Sequence, residues 1–238
     1  MKAEVIHKNW ERHLAIIDKF ISKDRKEMVL AMVEALEDFL ILLPASGKSH
    51  FHNAFPGGYI DHVNRVVRCS LKTKALWEEM GADINFTDEE LVFSALFHDL
   101  GKVGDGEKIG YVKQNDQWRQ RNLNEHYFPN KELPFMLIQD RSLYLLQKYG
   151  IPLTHNEYLA IRLHDGVYDD ANKAYFVSYN PESKFRTNIV NILHHADYLA
   201  AKVEYDNWNT LPKSENKPKK KKKAVKSSEN LSNLVKNL

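Results

Sequence analysis

Four side chains far apart in the chain, His62, His98, Asp99 and Asp197, are of the types that hold a divalent metal ion. Two imidazoles and two carboxylates make a mixed nitrogen and oxygen donor set, suited to an ion that activates water for hydrolysis. A lone His-Asp dipeptide is common, so its surroundings decide its weight. Here His98-Asp99 closes an apolar run, Leu91-Val92-Phe93-Ser94-Ala95-Leu96-Phe97, and leads straight into Leu100-Gly101-Lys102. A carboxylate at the end of such a run enters the interior only if it is paired or bound to a cation. If the four groups meet around one ion, their donor atoms should sit at about 2.0–2.2 Å from it.

Other residues could serve the same chemistry. Lys102 lies three positions beyond Asp99 and could aim an ammonium at a phosphate, neutralising charge on its non-bridging oxygens. A second pair, His164-Asp165, is followed by turn-forming residues, and His164 is assigned as a proton donor or phosphate contact, with Asp165 beside it in the catalytic group. Within HHAD, a three-residue step puts His194 on the side of the helix that carries Asp197, whereas His195 turns away. His194 is therefore assigned to substrate binding or to orienting a ligand. His52 precedes a Pro-Gly-Gly turn that lets backbone approach a ligand closely, and Arg65 lies one helical turn after His62; both are assigned to substrate contact. Gly47-Lys48-Ser49 is no phosphate-binding P-loop, because residue 42, where that motif needs glycine, is Leu.

Helices must position these groups. Apolar residues recur at three- and four-residue intervals over residues 10–21 and 26–43, which predicts two amphipathic helices. A further helix should start near Gly58 and turn Ile60, Val63, Val66, Val67 and Leu71 inward, with His62 beside that stripe. Thr87-Asp88-Glu89-Glu90 and Thr154-His155-Asn156-Glu157 are both capping boxes. Each launches a helix that ends in a His-Asp pair. Residues 141–149 should be helical up to Gly150 and Pro152, and a last core helix is predicted over 183–208, burying Ile189, Ile192, Leu193, Ala196, Leu199 and Ala200. Between residues 101 and 137 the periodicity fades, and a loop over the site entrance is expected.

The order His62, His98-Asp99, Asp197, with the pair inside HDLGK, resembles the HD superfamily of metal-dependent phosphohydrolases. The stretch from His52 through Pro56-Gly57-Gly58 to His62 resembles an H-x-x-x-P-G-G-x-x-x-H element of some members, including HD-type 3′-5′ exoribonucleases. The likeness spans residues 50–205. It implies an all-α, single HD-type helical domain over residues 1–211, and a divalent ion (Mn, Mg, Fe, Co, Ni or Zn) held by His62, His98, Asp99 and Asp197. LHDG at 163–166 resembles a position where some members bind a second ion. The residues 138–142 lack the histidine usual beside it, so one ion is expected rather than two.

Composition sets outer bounds. The single Cys69 excludes an internal disulfide and fits a reducing cytoplasm. The long apolar stretch over residues 28–43 carries Glu34, Glu37 and Asp38, so no membrane partner is expected. The net charge of +2 hides a division: residues 213–238 hold nine Lys and two acids, leaving twenty-five basic residues against thirty acidic in the rest. A disordered lysine-rich tail over 212–238 is expected, with a short amphipathic helix at its end and nucleic acid as one partner for its charge. The expected activity is hydrolysis of a phosphomonoester or phosphodiester of a nucleotide, a phosphorylated small molecule. A 3′-5′ exonuclease acting on RNA or DNA ends and a non-catalytic nucleotide-sensing module are the alternatives.

Overall fold

The computed structural model describes residues 1–210 as an all-α fold with one small hairpin. The expected lysine tail and terminal helix, together with residue 211 of the expected domain, lie outside the described residues. No helix among those described is long and apolar enough to cross a membrane.

The chain opens with α1 (Ala3–Phe20), α2 (Lys23–Ala35) and the single turn α3 (Glu37–Leu40). The helix expected over 26–43 is therefore two pieces, with the chain turning at Leu36 so that both Leu36 and Leu40 reach the core. The central helix α4 (Gly58–Glu79) starts at the expected place and buries Ile60, Val63, Val66 and Val67, while Leu71 packs at the core edge. Gly57, which precedes it, has φ +79°, a left-handed conformation that side chains disfavour.

Both capping boxes form. α5 (Asp88–Phe97) begins with the Thr87 amide donating to Glu90 Oε2 at 2.8 Å and the Glu90 amide donating to Thr87 Oγ1 at 3.1 Å. α8 (His155–Leu163) repeats the exchange between Thr154 and Glu157 at 2.8 and 3.2 Å. The two caps also touch, because Thr154 Oγ1 and Asn156 Nδ2 both donate to Glu90 Oε1, at 2.8 and 3.1 Å. Arg25 bridges the same ends through Glu157 at 2.8 Å and Glu89 at 3.4 Å. These helices start side by side, run ten and nine residues, about 15 Å at 1.5 Å per residue, pack on each other, and also end side by side. Their ends carry His98 and His164.

Residues 104–137 are more ordered than the faded periodicity suggests. A 3₁₀ turn at Leu100–Val103 leads to strand β1 (Tyr111–Lys113), helix α6 (Gln117–Leu123) and strand β2 (Tyr127–Pro129). The strands pair antiparallel with Val112 opposite Phe128. The strands are too short for alternation to register in sequence, and α6 buries no residue, so it has no apolar stripe to read.

α7 (Ile138–Lys148) packs on the 3₁₀ turn. Gly101 makes that contact feasible: its amide donates to Ser142 Oγ at 2.8 Å, and a Cβ there would collide with the Ile138 carbonyl. After α9 (Lys173–Phe176) comes α10 (Ile189–Thr210), which packs mainly on α4. It starts six residues later than the expected 183, because Ser183 closes a separate 3₁₀ turn begun at Pro181. Ile189, Ile192, Leu193, Ala196 and Ala200 are buried as expected, but Leu199, at the edge of that stripe, is exposed.

Candidate metal centre

Each of the four expected metal ligands comes from a helix or a helix end that meets at one point. His62 projects from α4, His98 and Asp99 from the end of α5, and Asp197 from α10. His62 Nε2 lies 3.1 Å from Asp197 Oδ1 and 3.8 Å from Asp99 Oδ2. His98 Nε2 lies 3.4 Å from Asp99 Oδ2 and 3.8 Å from Asp197 Oδ1. His164 joins them from the end of α8, with its Nε2 3.7 Å from Asp99 Oδ1 and its ring edge-on to His98 at 4.8 Å. Two overlapping sets, His62/His98/Asp99 and His98/His164/Asp197, have donor atoms within 4.8 Å of one another and could hold a metal ion.

The imidazoles are oriented for that role. His98 Nδ1 pairs with the Ala95 carbonyl at 2.9 Å and His164 Nδ1 with the Ile161 carbonyl at 2.8 Å. A carbonyl only accepts, so each Nδ1 carries the hydrogen, and Nε2 is the nitrogen turned to the centre. His62 Nδ1 faces both oxygens of Glu204, at 3.1 and 3.2 Å. The Nε2 atoms of His62 and His98 are buried and make no well-aligned hydrogen bond, although Asp197 and Asp99 oxygens lie 3.1 to 3.8 Å away. Buried polar atoms normally find one, and a divalent cation is the partner this donor set fits.

Charge in the cluster is strongly coupled. Burial would lower the His62 pKa, but Glu204 and Asp197 reverse that and push it up to about 10. Burial likewise disfavours ionised Asp99, yet the Lys102 ammonium and His98 hold its carboxyl well below the usual carboxylate range. Asp197 is also held low, with burial overcome by His62 and His98. Lys102, whose Nζ lies 2.5 Å from Asp99 Oδ2, is raised because Asp99 outweighs its burial. His164 is raised as well, with burial offset by Asp165 and Asp99. Protons and the ammonium thus supply the positive charge that two buried carboxylates require, and a divalent ion would replace some of it.

The remaining expected residues are placed differently from one another. The His52 ring lies 4.7 Å from that of His62, tilted by 36°, and its Nε2 is buried without a hydrogen-bond partner. Burial, His62 and Lys102 push its pKa down to about 2, so it is a neutral imidazole. It lines a cavity of about 490 Å³ together with Lys48, Lys102, Tyr111 and Arg119. Asp165 lies 3.6 Å from His164 Nε2 and belongs to neither metal-capable set. His194 pairs through Nδ1 with the His164 carbonyl at 2.7 Å and packs against Gly166, also outside both sets. His195 turns away toward Trp77, as the two-residue step requires. Arg65 donates to Glu204 at 3.1 Å and to Asp61 at 3.4 Å, and it lines cavities behind His62 that do not include Lys102.

Glu204 is the residue that sequence reasoning passed over. It is 2% exposed, seven positions after Asp197 on α10, and fixes both His62 and Arg65. Seven residues is two helical turns, so the spacing from Asp197 was the available signal. Comparison with known proteins found no matching family model, no matching curated protein and no matching solved structure. The cluster itself is compatible with the HD resemblance.

Proposed function

We propose that this chain is an HD-type, metal-dependent phosphohydrolase that works in the cytoplasm and cleaves a phosphomonoester or phosphodiester of a nucleotide. The observation that carries the reading is the convergence of the buried Nε2 atoms of His62 and His98, neither in a well-aligned hydrogen bond, with the carboxylates of Asp99 and Asp197. His62, His98, Asp99 and Asp197 would hold one divalent ion. When bound, such an ion supplies Lewis acidity and activates water for attack on phosphorus.

The chain's own residues do the rest. Lys102 keeps its ammonium against Asp99, at the wall shared by two cavities of about 430 and 490 Å³, where it can stabilise negative charge growing on phosphate oxygens. His52, a neutral imidazole lining the same cavity as Lys102, would contact the substrate. Asp165 and Asp99, against burial, raise the His164 pKa, which favours His164 Nε2 as the donor of a proton to the departing oxygen. Cavities of this size suit a small nucleotide, which favours that substrate over the end of a nucleic acid.

The test is release of inorganic phosphate or of nucleoside monophosphates, resolved by chromatography, from a panel of nucleotides and short oligonucleotides with Mn²⁺, alongside metal content by mass spectrometry. The expected result is metal-dependent release that His98→Ala abolishes. Release confined to oligonucleotides would favour the 3′-5′ exonuclease. Metal and nucleotide binding without turnover would point to the sensing module.

A further inference from the structure

On the side of Lys102 away from His52 lies a second cavity, of about 430 Å³, whose chemistry the metal centre does not explain. Its roof is the segment 133–138, where Phe135 is 92% exposed and Pro134 and Met136 are exposed beside it. Leaving three such residues in water has no folding benefit, and a ligand ring covering them would gain from their burial.

The cavity's charged groups are all of one sign. Lys102, Lys131 and Arg141 line it, and no carboxylate does. Arg141 is 9% exposed, yet its only partners among the described residues are carbonyls, Pro134 O at 2.9 Å and Gly101 O at 3.4 Å. Asp105 acts on it only from a greater distance. A buried guanidinium with neutral acceptors alone has an uncompensated charge, and its planar fork has further donors to offer an anion. The two carbonyls fix it between the roof and the 3₁₀ turn that carries Lys102.

We propose that this cavity is the subsite for the non-reacting part of the substrate: Phe135 stacks on a planar ring, and Arg141 pairs with a second anionic group. With the reacting phosphate at Lys102, the ligand class is a nucleoside carrying at least two phosphoryl groups. This inference rests on the phosphohydrolase reading for the position of the reacting phosphate.

Calorimetric titration of the EDTA-treated full-length chain with phosphate, AMP and ADP tests it without turnover. AMP should bind about tenfold more tightly than phosphate through ring stacking, and ADP about tenfold more tightly again through the charge-assisted pair. Phe135→Ala should erase the first step. Arg141→Gln should erase the second, and Arg141→Lys, which keeps the charge, should restore part of it. Thermal melts of both Arg141 variants check the fold, and the exposed Phe135 provides a test free of that concern.

Equal affinity for all three ligands, or both steps intact in Phe135→Ala and Arg141→Gln, would overturn the subsite. An AMP step without an ADP step would remove the role given to Arg141. Mn²⁺-dependent hydrolysis of nucleotides with neither affinity step would leave the hydrolase standing and the subsite refuted. Both steps present with no metal-dependent hydrolysis of any phosphate ester would do the reverse.

Discussion

The two His-Asp pairs end helices built to one plan, yet only one of them brings its carboxylate inside. Both α5 and α8 open with a Thr-x-x-Glu box, the boxes share Glu90, and the helices differ by one residue in length. Both histidines fix Nδ1 on the carbonyl three residues back and present Nε2 to the same centre. The side chain of Asp99, however, is 8% exposed and gripped by Lys102, whereas that of Asp165 is 44% exposed. The chain just beyond each pair makes the difference: after Asp99 it enters a 3₁₀ turn clamped under α7 by Gly101 and Ser142, which returns Lys102 to the carboxylate. After Asp165 it turns through Gly166, at φ +59°, against His194, with no cation brought back. The same dipeptide is a buried anion in one place and a rim residue in the other.

The largest test of this contrast substitutes the two carboxylates in turn. Asp99→Ala should cost more than about 100-fold in Mn²⁺ affinity, beyond the 10–100-fold typical of residues that only support a ligand. Asp165→Ala should stay within that supporting range or below it. Equilibrium dialysis measures both, and similar losses would break the distinction.

A histidine outside the cluster isolates what the carboxylates do. His13 is buried against Trp10 and Asn64 with no acid beside it, and burial, opposed only by the Asn64 hydrogen bond, lowers its pKa to about 4. His62, equally buried but between Glu204 and Asp197, rises to about 10. Because the folded state holds His13 neutral, its stability contribution is complete above the unfolded value near 6.5 and is lost as pH falls toward 4. The difference is worth about 3 kcal/mol. Urea unfolding at pH 7 and pH 4.5 should reveal that loss, and His13→Asn should flatten this part of the pH dependence. An unchanged slope in the variant would mean that burial alone does not set the histidine charges here.

The smallest expected effect concerns the support behind the first pair. Glu204→Gln keeps the shape but removes the charge that orients His62, and should weaken Co²⁺ binding roughly 10–100-fold with a shift in the Co²⁺ absorption spectrum. An unaltered spectrum and affinity would reduce Glu204 to a structural partner of Arg65.

Much of this was legible in the sequence because it is local. Capping boxes act within four residues, the apolar stripe of α4 repeats within one helix, and a His-Asp pair at a helix end is a neighbour relation. Those signals located the helices that carry His62, His98 and His164. The hairpin over residues 111–129 was not legible, since three-residue strands leave no alternation to detect.

By itself, then, the amino-acid order determined which helices form and which donor types they carry to their ends. Only the tertiary structure decided that the caps of α5 and α8 lie side by side, so that His164 reaches the centre, and that Glu204 stands behind His62 and takes up Arg65. The physical reason is range. Helix formation and capping are settled by hydrogen bonds within a turn, whereas the charge, exposure and direction of a side chain depend on groups up to 142 residues away along the chain.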